Sequence, residues 1–111
     1  LKVLSQILQT EDQPDHIKSM AAWSILNVGM DRESAKSCIK LMVETIIKSK
    51  NEQICIPMIR AMGNFIIDYP HSIHQKSLNQ YNILDAINNA IKSPKFNIRK
   101  EGCWLMSNLN A

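Results

Sequence analysis

The stretch IRKEGCWLMSN, residues 98–108, is written a second time, loosely, as IKSMAAWSILN at residues 17–27. The two align without a gap: Ile17 with Ile98, Lys18 with Arg99, Ala21 with Gly102, Ala22 with Cys103, Trp23 with Trp104, Ile25 with Met106 and Asn27 with Asn108. A third version lies between them, from Ile54 through Pro57, Arg60, Ala61, Met62 and Gly63 to Asn64. Trp23 and Trp104 stand 81 positions apart, with Arg60 37 positions after the first and 44 before the second. A mean period of about 40 residues is that of helical repeats, units that cannot bury their apolar faces alone and stack to share one core.

Each copy carries the marks of a helix start. Asp12 and Pro14 precede the first, Ser93 and Pro94 the third, and Asn51 with Glu52 opens the second. Helices of about 12 to 16 residues follow from the apolar spacing. Pro57 falls inside the first turns of the second copy, where a missing N–H predicts a kink or a late start. An amphipathic partner precedes every copy: Leu1, Leu4, Ile7 and Leu8, then Ile39, Met42, Val43, Ile46 and Ile47, then Ile83, Leu84, Ile87 and Ile91. Shorter helices are expected around Glu33 to Cys38 and Pro70 to Gln80. The chain thus divides into a partial repeat over residues 1–30 and whole repeats over 31–69 and 70–111.

Composition agrees with an all-α chain. Of the 111 residues only three are Gly and four Pro, too few turn-formers for a β-sandwich, and no apolar run approaches the roughly 20 residues that span a bilayer. The chain opens at Leu1 inside an apolar pattern, as a piece of a longer array would. Cys38, Cys55 and Cys103 are an odd set without framework spacing, read as reduced thiols, with Cys55 and Cys103 at positions suited to packing. The net charge of +3 comes from scattered Lys, densest at Lys95, Arg99 and Lys100, and reads as a solvated face rather than a nucleic-acid footprint.

The Trp and Asn positions carry the chemistry. Residues four apart share a helix face. Trp23 with Asn27, Arg60 with Asn64 and Trp104 with Asn108 therefore make three patches that stacking aligns. An Asn amide both donates and accepts, so a row of them can hold the main chain of an extended peptide without reading its sequence. A Trp face accepts the stem of Lys or Arg and attracts its cation. The competing reading makes Trp a core residue and Asn a tie between neighbouring helices.

Residues 98–108 closely resemble the third helix of an armadillo repeat in the importin-α family of nuclear-import adaptors, and Ile59 to Ile66 resembles the repeat of that family in which Arg replaces Trp. The resemblance implies an armadillo-type right-handed superhelical solenoid of about two and two-thirds repeats, near the family's minor site for nuclear localisation signals. It also implies basic signal peptides of cargo proteins as partners, importin-β binding through a segment outside this chain, and residence in cytoplasm and nucleus. Carried over residue by residue, the peptide-binding positions are Arg60, Asn64, Glu101, Trp104, Ser107 and Asn108, with Trp23 and Asn27 added from the repeated motif. Glu101, one turn before Trp104, would pair a peptide Lys, or else stand in solvent as the partner of a Lys of the chain itself. The positions matching Glu101 in the other copies are Met20 and Pro57, which carry no charge.

No catalytic site is expected. His71 and His74 are three apart, but no Cys or carboxylate of suitable spacing completes a metal set, and there is no phosphate loop, nucleophile elbow or carboxylate pair. Neither metal nor cofactor is expected, and no membrane contact. Two functions remain open: a nuclear-import adaptor whose inner groove holds an extended Lys/Arg-rich signal, or an armadillo scaffold for another protein partner in which Trp and Asn are structural.

Overall fold

The computed structural model describes residues 2–28, 32–68 and 82–110, with the side chains of residues 32–36 and 110 left aside. The described residues form six helices: α1 (Lys2–Gln9), α2 (Asp15–Val28), α3 (Arg32–Lys48), α4 (Glu52–Asp68), α5 (Ile83–Ile91) and α6 (Phe96–Asn110), with no strand among them. The helix starts fall where the sequence marks them. Pro14 lends its carbonyl to the N–H groups of Ile17 and Lys18, and Asn51 Oδ1 accepts from Gln53 N at 2.8 Å. Ser93 Oγ accepts from Lys95 N at 3.1 Å just ahead of α6. Asn82, before α5, sits in the left-handed region at φ 57°, a conformation Asn tolerates through its short polar side chain.

The helices form two rows. α4 packs against α2 on one side and α6 on the other, while α3 packs against α1 and α5 in the second row, and each α1–α2, α3–α4 and α5–α6 pair joins the rows. The least extent of the molecule, 22 Å, is two helix diameters of about 10–12 Å each. Ile25, Met42, Ile46, Met58, Ile59, Met62, Ile83, Ile87 and Leu105 fill the space between the rows. The three sequence copies are α2, α4 and α6, so the repeat read from the chain is one row of an all-α, armadillo-like fold.

Three expectations need correction. Residues 32–48 form one helix of 17 residues rather than a short helix near Glu33 to Cys38 and a second from Ile39. The intervening residues, Ala35 through Cys38, contain neither Gly nor Pro to end a turn. Leu84, placed on the apolar face of α5, is exposed, and Ala86 and Ala90 take its share of the core with Ile83 and Ile87. Cys103 is exposed on α6, whereas Cys38 and Cys55 are buried. The helix expected around Pro70 to Gln80 and the pair His71 and His74 lie outside the described residues. Among those described, no helix is long and apolar enough to cross a membrane, and no group of His, Cys, Asp and Glu is gathered as a metal site.

Pro57 shows how a sequence exception becomes a structural joint. α4 begins on time at Glu52 and runs through Pro57 to Asp68. Having no N–H, Pro57 leaves the carbonyl four residues back, on Gln53, without its helical donor. Ser19 of α2 supplies one, its Oγ donating to Gln53 O at 3.0 Å, and Trp23 Nε1 donates to the side-chain Oε1 of the same residue at 3.3 Å. The bond that Pro57 removes from α4 is thus replaced by one that fastens α2 to it.

Two outcomes are expected. Ser19→Ala costs about 1 kcal/mol in urea unfolding, and less in a Pro57→Ala background, where the new N–H can reach Gln53 O; equal costs in the two backgrounds would show the bond to be incidental. Burial pushes the Cys55 thiol up to about 11, the largest cause being loss of hydration, with Lys50 opposing it. Because the folded chain then holds that proton more tightly than the unfolded chain, Cys55's contribution to stability is full below its ordinary value and falls as pH rises toward 11. A thiol-reactive dye at neutral pH should accordingly label one cysteine fast, Cys103, and the other two only on unfolding.

Candidate peptide-binding face

α4 is buried on three sides, and its open stripe is Gln53, Arg60, Asn64, Ile67 and Asp68, spaced by the turns of one helix face, with Ile56 half-buried along it. Beside that stripe α2 presents Trp23 and Asn27, and α6 presents Lys100, Glu101 and Trp104. Five of the eight residues expected from sequence, Asn27, Arg60, Asn64, Glu101 and Trp104, line one groove of about 500 Å³, together with Leu26 and Lys100. The other three stand apart from its lining. Ser107 is exposed on α6, and Asn108 is half-buried one turn beyond Trp104, its Nδ2 enclosed without a hydrogen-bond partner. Trp23 reaches the groove only through Arg60.

Neither Trp is a core residue. Trp104 is 37% exposed, and Trp23 is half-buried. The six-membered ring of Trp104 lies against Gly63 of α4, so close that a Cβ built on Gly63 would meet its Cη2 at 2.6 Å. A helix-interior Gly costs about 1 kcal/mol relative to Ala, and here it provides the floor on which the ring rests. Gly102 plays the same part behind α6, where a Cβ would meet that of Ala90 at 2.9 Å.

The charges pair within the chain. Arg60 Nη2 donates to Glu101 Oε1 at 2.9 Å across the α4–α6 boundary, and the Arg60 Cζ stands 5.6 Å from the centroid of the Trp23 ring on α2. One guanidinium thus bridges all three inner helices. The Glu101 side chain is 13% exposed and that of Arg60 45%, so the carboxylate is the partner that most needs the contact. The hydrogen bond to Glu101 raises the Arg60 guanidinium above its already high value; loss of hydration opposes it and the Glu101 charge then adds to it, so Arg60 is a cation at every working pH. The sequence reading had Glu101 facing a peptide Lys; in this structure its partner is Arg60.

Sequence reasoning missed Leu26, Lys100, Gly63 and Gln53. Gly63 alone left a signal, as an isolated Gly within a helical pattern that marks a close approach. Lys100 and Leu26 are ordinary residues whose role comes from the stacking of rows, and Gln53 gains its partners only because Pro57 frees a carbonyl.

Fold and face together define an all-α, armadillo-like array of repeats. The chain is distantly similar to importin-α subunits. Over 120 aligned residues it is 27% identical to "Importin subunit alpha-2" of Oryza sativa subsp. japonica, which covers 98% of this chain and 23% of that protein. It is 24% identical over 100 residues to "Importin subunit alpha-9" of Arabidopsis thaliana, covering 81% of this chain and 19% of the relative. The chain thus spans about a fifth to a quarter of the length of these relatives. No family model and no solved structure matches it.

Gly63→Ala should force the Trp104 ring off α4. Overpacking of this kind costs about 1–3 kcal/mol, and a red-shifted, more readily quenched Trp emission should accompany it. A variant of wild-type stability and emission would mean that the ring does not rest there.

Proposed function

We propose that the face formed by α2, α4 and α6 binds an extended Lys/Arg-rich segment of a partner protein, and that the chain serves as part of a nuclear-import adaptor rather than as an enzyme. The observation that carries this reading is the meeting of Asn27, Asn64 and Trp104, residues far apart in sequence, along one open groove. Asn27 and Asn64 are exposed on neighbouring helices and offer amides to a main chain. Trp104, held against Gly63, is 37% exposed, and an exposed indole can receive an aliphatic stem and its cation. Nδ2 of Asn108, one turn beyond Trp104, is an enclosed donor without a partner. The distant similarity to importin-α subunits supports the same class of partner.

One observation favours the scaffold alternative. Arg60 and Lys100 bring two positive charges to the groove, and the carboxylate of Glu101 is already engaged by the first. A face so charged also suits a neutral or acidic segment.

Titration of a Lys/Arg-rich peptide, followed by Trp emission and calorimetry, separates the two. Binding should weaken about threefold to thirtyfold in Trp104→Ala and in Asn64→Ala, the scale of one cation–π contact or one hydrogen bond to a main chain. No binding by the basic peptide, with binding of a Glu/Asp-rich one, would establish the alternative.

A further inference from the structure

Arg60 stands where a ligand would. It lies over the Trp23 ring at 5.6 Å and donates to Glu101 at 2.9 Å, the two contacts that a basic side chain of a partner would make in a slot between α2 and α6. We propose that Arg60 is a tethered occupant of this slot, so that the face takes partner cations at Trp104 and is closed to them at Trp23. The inference rests on the peptide-binding reading above and assigns its selectivity.

The physical case is one of competition. A side chain fixed to the wall is present at an effective concentration that a short tether sets in the millimolar range or above, whereas one Lys or Arg meeting a Trp face gains little by itself. Arg60 also satisfies Glu101, whose carboxylate is mostly shielded from water, so displacing it strips a desolvated charge of its partner until the incoming cation is seated. Trp23 is held as well: its ring nitrogen donates to Gln53, the residue that Pro57 makes available to α2. Trp104 differs on each count, since Gly63 supports one side of its ring and no cation covers it among the described residues. The repeated helix therefore presents two Trp residues in unlike states, one filled from within and one open.

The test follows Trp23 alone, in the full chain carrying Trp104→Phe. Without any peptide, Arg60→Ala should raise acrylamide quenching of Trp23 about twofold, as the ring face is uncovered; unchanged quenching overturns the proposal. On addition of a Lys/Arg-rich peptide, Trp23 emission should stay flat with Arg60 present and should titrate once it is Ala. A Trp23 response of equal midpoint in both also overturns it. In the chain that keeps Trp104, Arg60→Ala should tighten the basic peptide about threefold to tenfold, while Lys100→Ala, which removes the same charge from the groove, should tighten it less. Equal tightening by the two would assign the effect to net charge and sink the proposal. Uncovering of Trp23 without a response of either Trp to any basic peptide would defeat the peptide-binding reading, while the quenching still supports Arg60 as the ring's occupant.

Discussion

The structure depends on the confinement of α4. This helix is pressed by α2, by α6 and by the row behind it, and ten of its residues are buried, Gly63 and Pro57 among them. A helix packed on three sides has one direction left for polar groups. Arg60 and Asn64 point that way because burial elsewhere would leave a charge or an amide without water or partner. The groove is thus a consequence of packing before it is a site, and each side chain in it is displayed because the core excludes it.

That confinement also explains why small and irregular residues gather on α4. Neighbouring helices can approach closely only where side chains are short, and Gly63 lets Trp104 lie against backbone. Pro57 weakens the internal bonding of α4, yet the carbonyl it frees becomes the acceptor for Ser19, and the same Gln53 steadies Trp23. In isolation each departure lowers helix stability; in the stack each converts a local loss into a contact between repeats. The pair of Arg60 and Glu101 has its guanidinium open to water and its carboxylate largely shielded, so it adds to stability modestly while tying α4 to α6.

How much of this was legible beforehand follows from what periodicity encodes. The α2, α4 and α6 copies were visible because the face of a helix recurs at a spacing that sequence shows directly, and their starts at Pro14, Asn51 and Ser93 because caps are local. α3 is one helix where two are expected, because Ala35 through Cys38 hold neither Gly nor Pro to end a turn. Leu84 was misplaced because an apolar residue at the margin of a face can turn either way, and the two Ala of α5 fit the tighter space better. Asn27, Asn64 and Trp104 could be named from one face of one helix, but that they share a groove is a fact of stacking.

The charge arrangement was the least legible part, for a reason that extends beyond this chain. Sequence places Glu101 one turn from Trp104 on α6 and Arg60 on α4, and no spacing rule relates residues 41 positions apart. Read helix by helix, Glu101 is a free acceptor and Arg60 a substituted Trp. Read across the row, the substitution carries its own logic: a cation in the middle copy can reach both the ring of the copy before it and the carboxylate of the copy after it. A repeat that replaces Trp by Arg therefore does more than lose a slot. It sets a cation over its neighbour's ring and against the next copy's carboxylate, so the charge on such a face is arranged by adjacent repeats together rather than by each repeat alone.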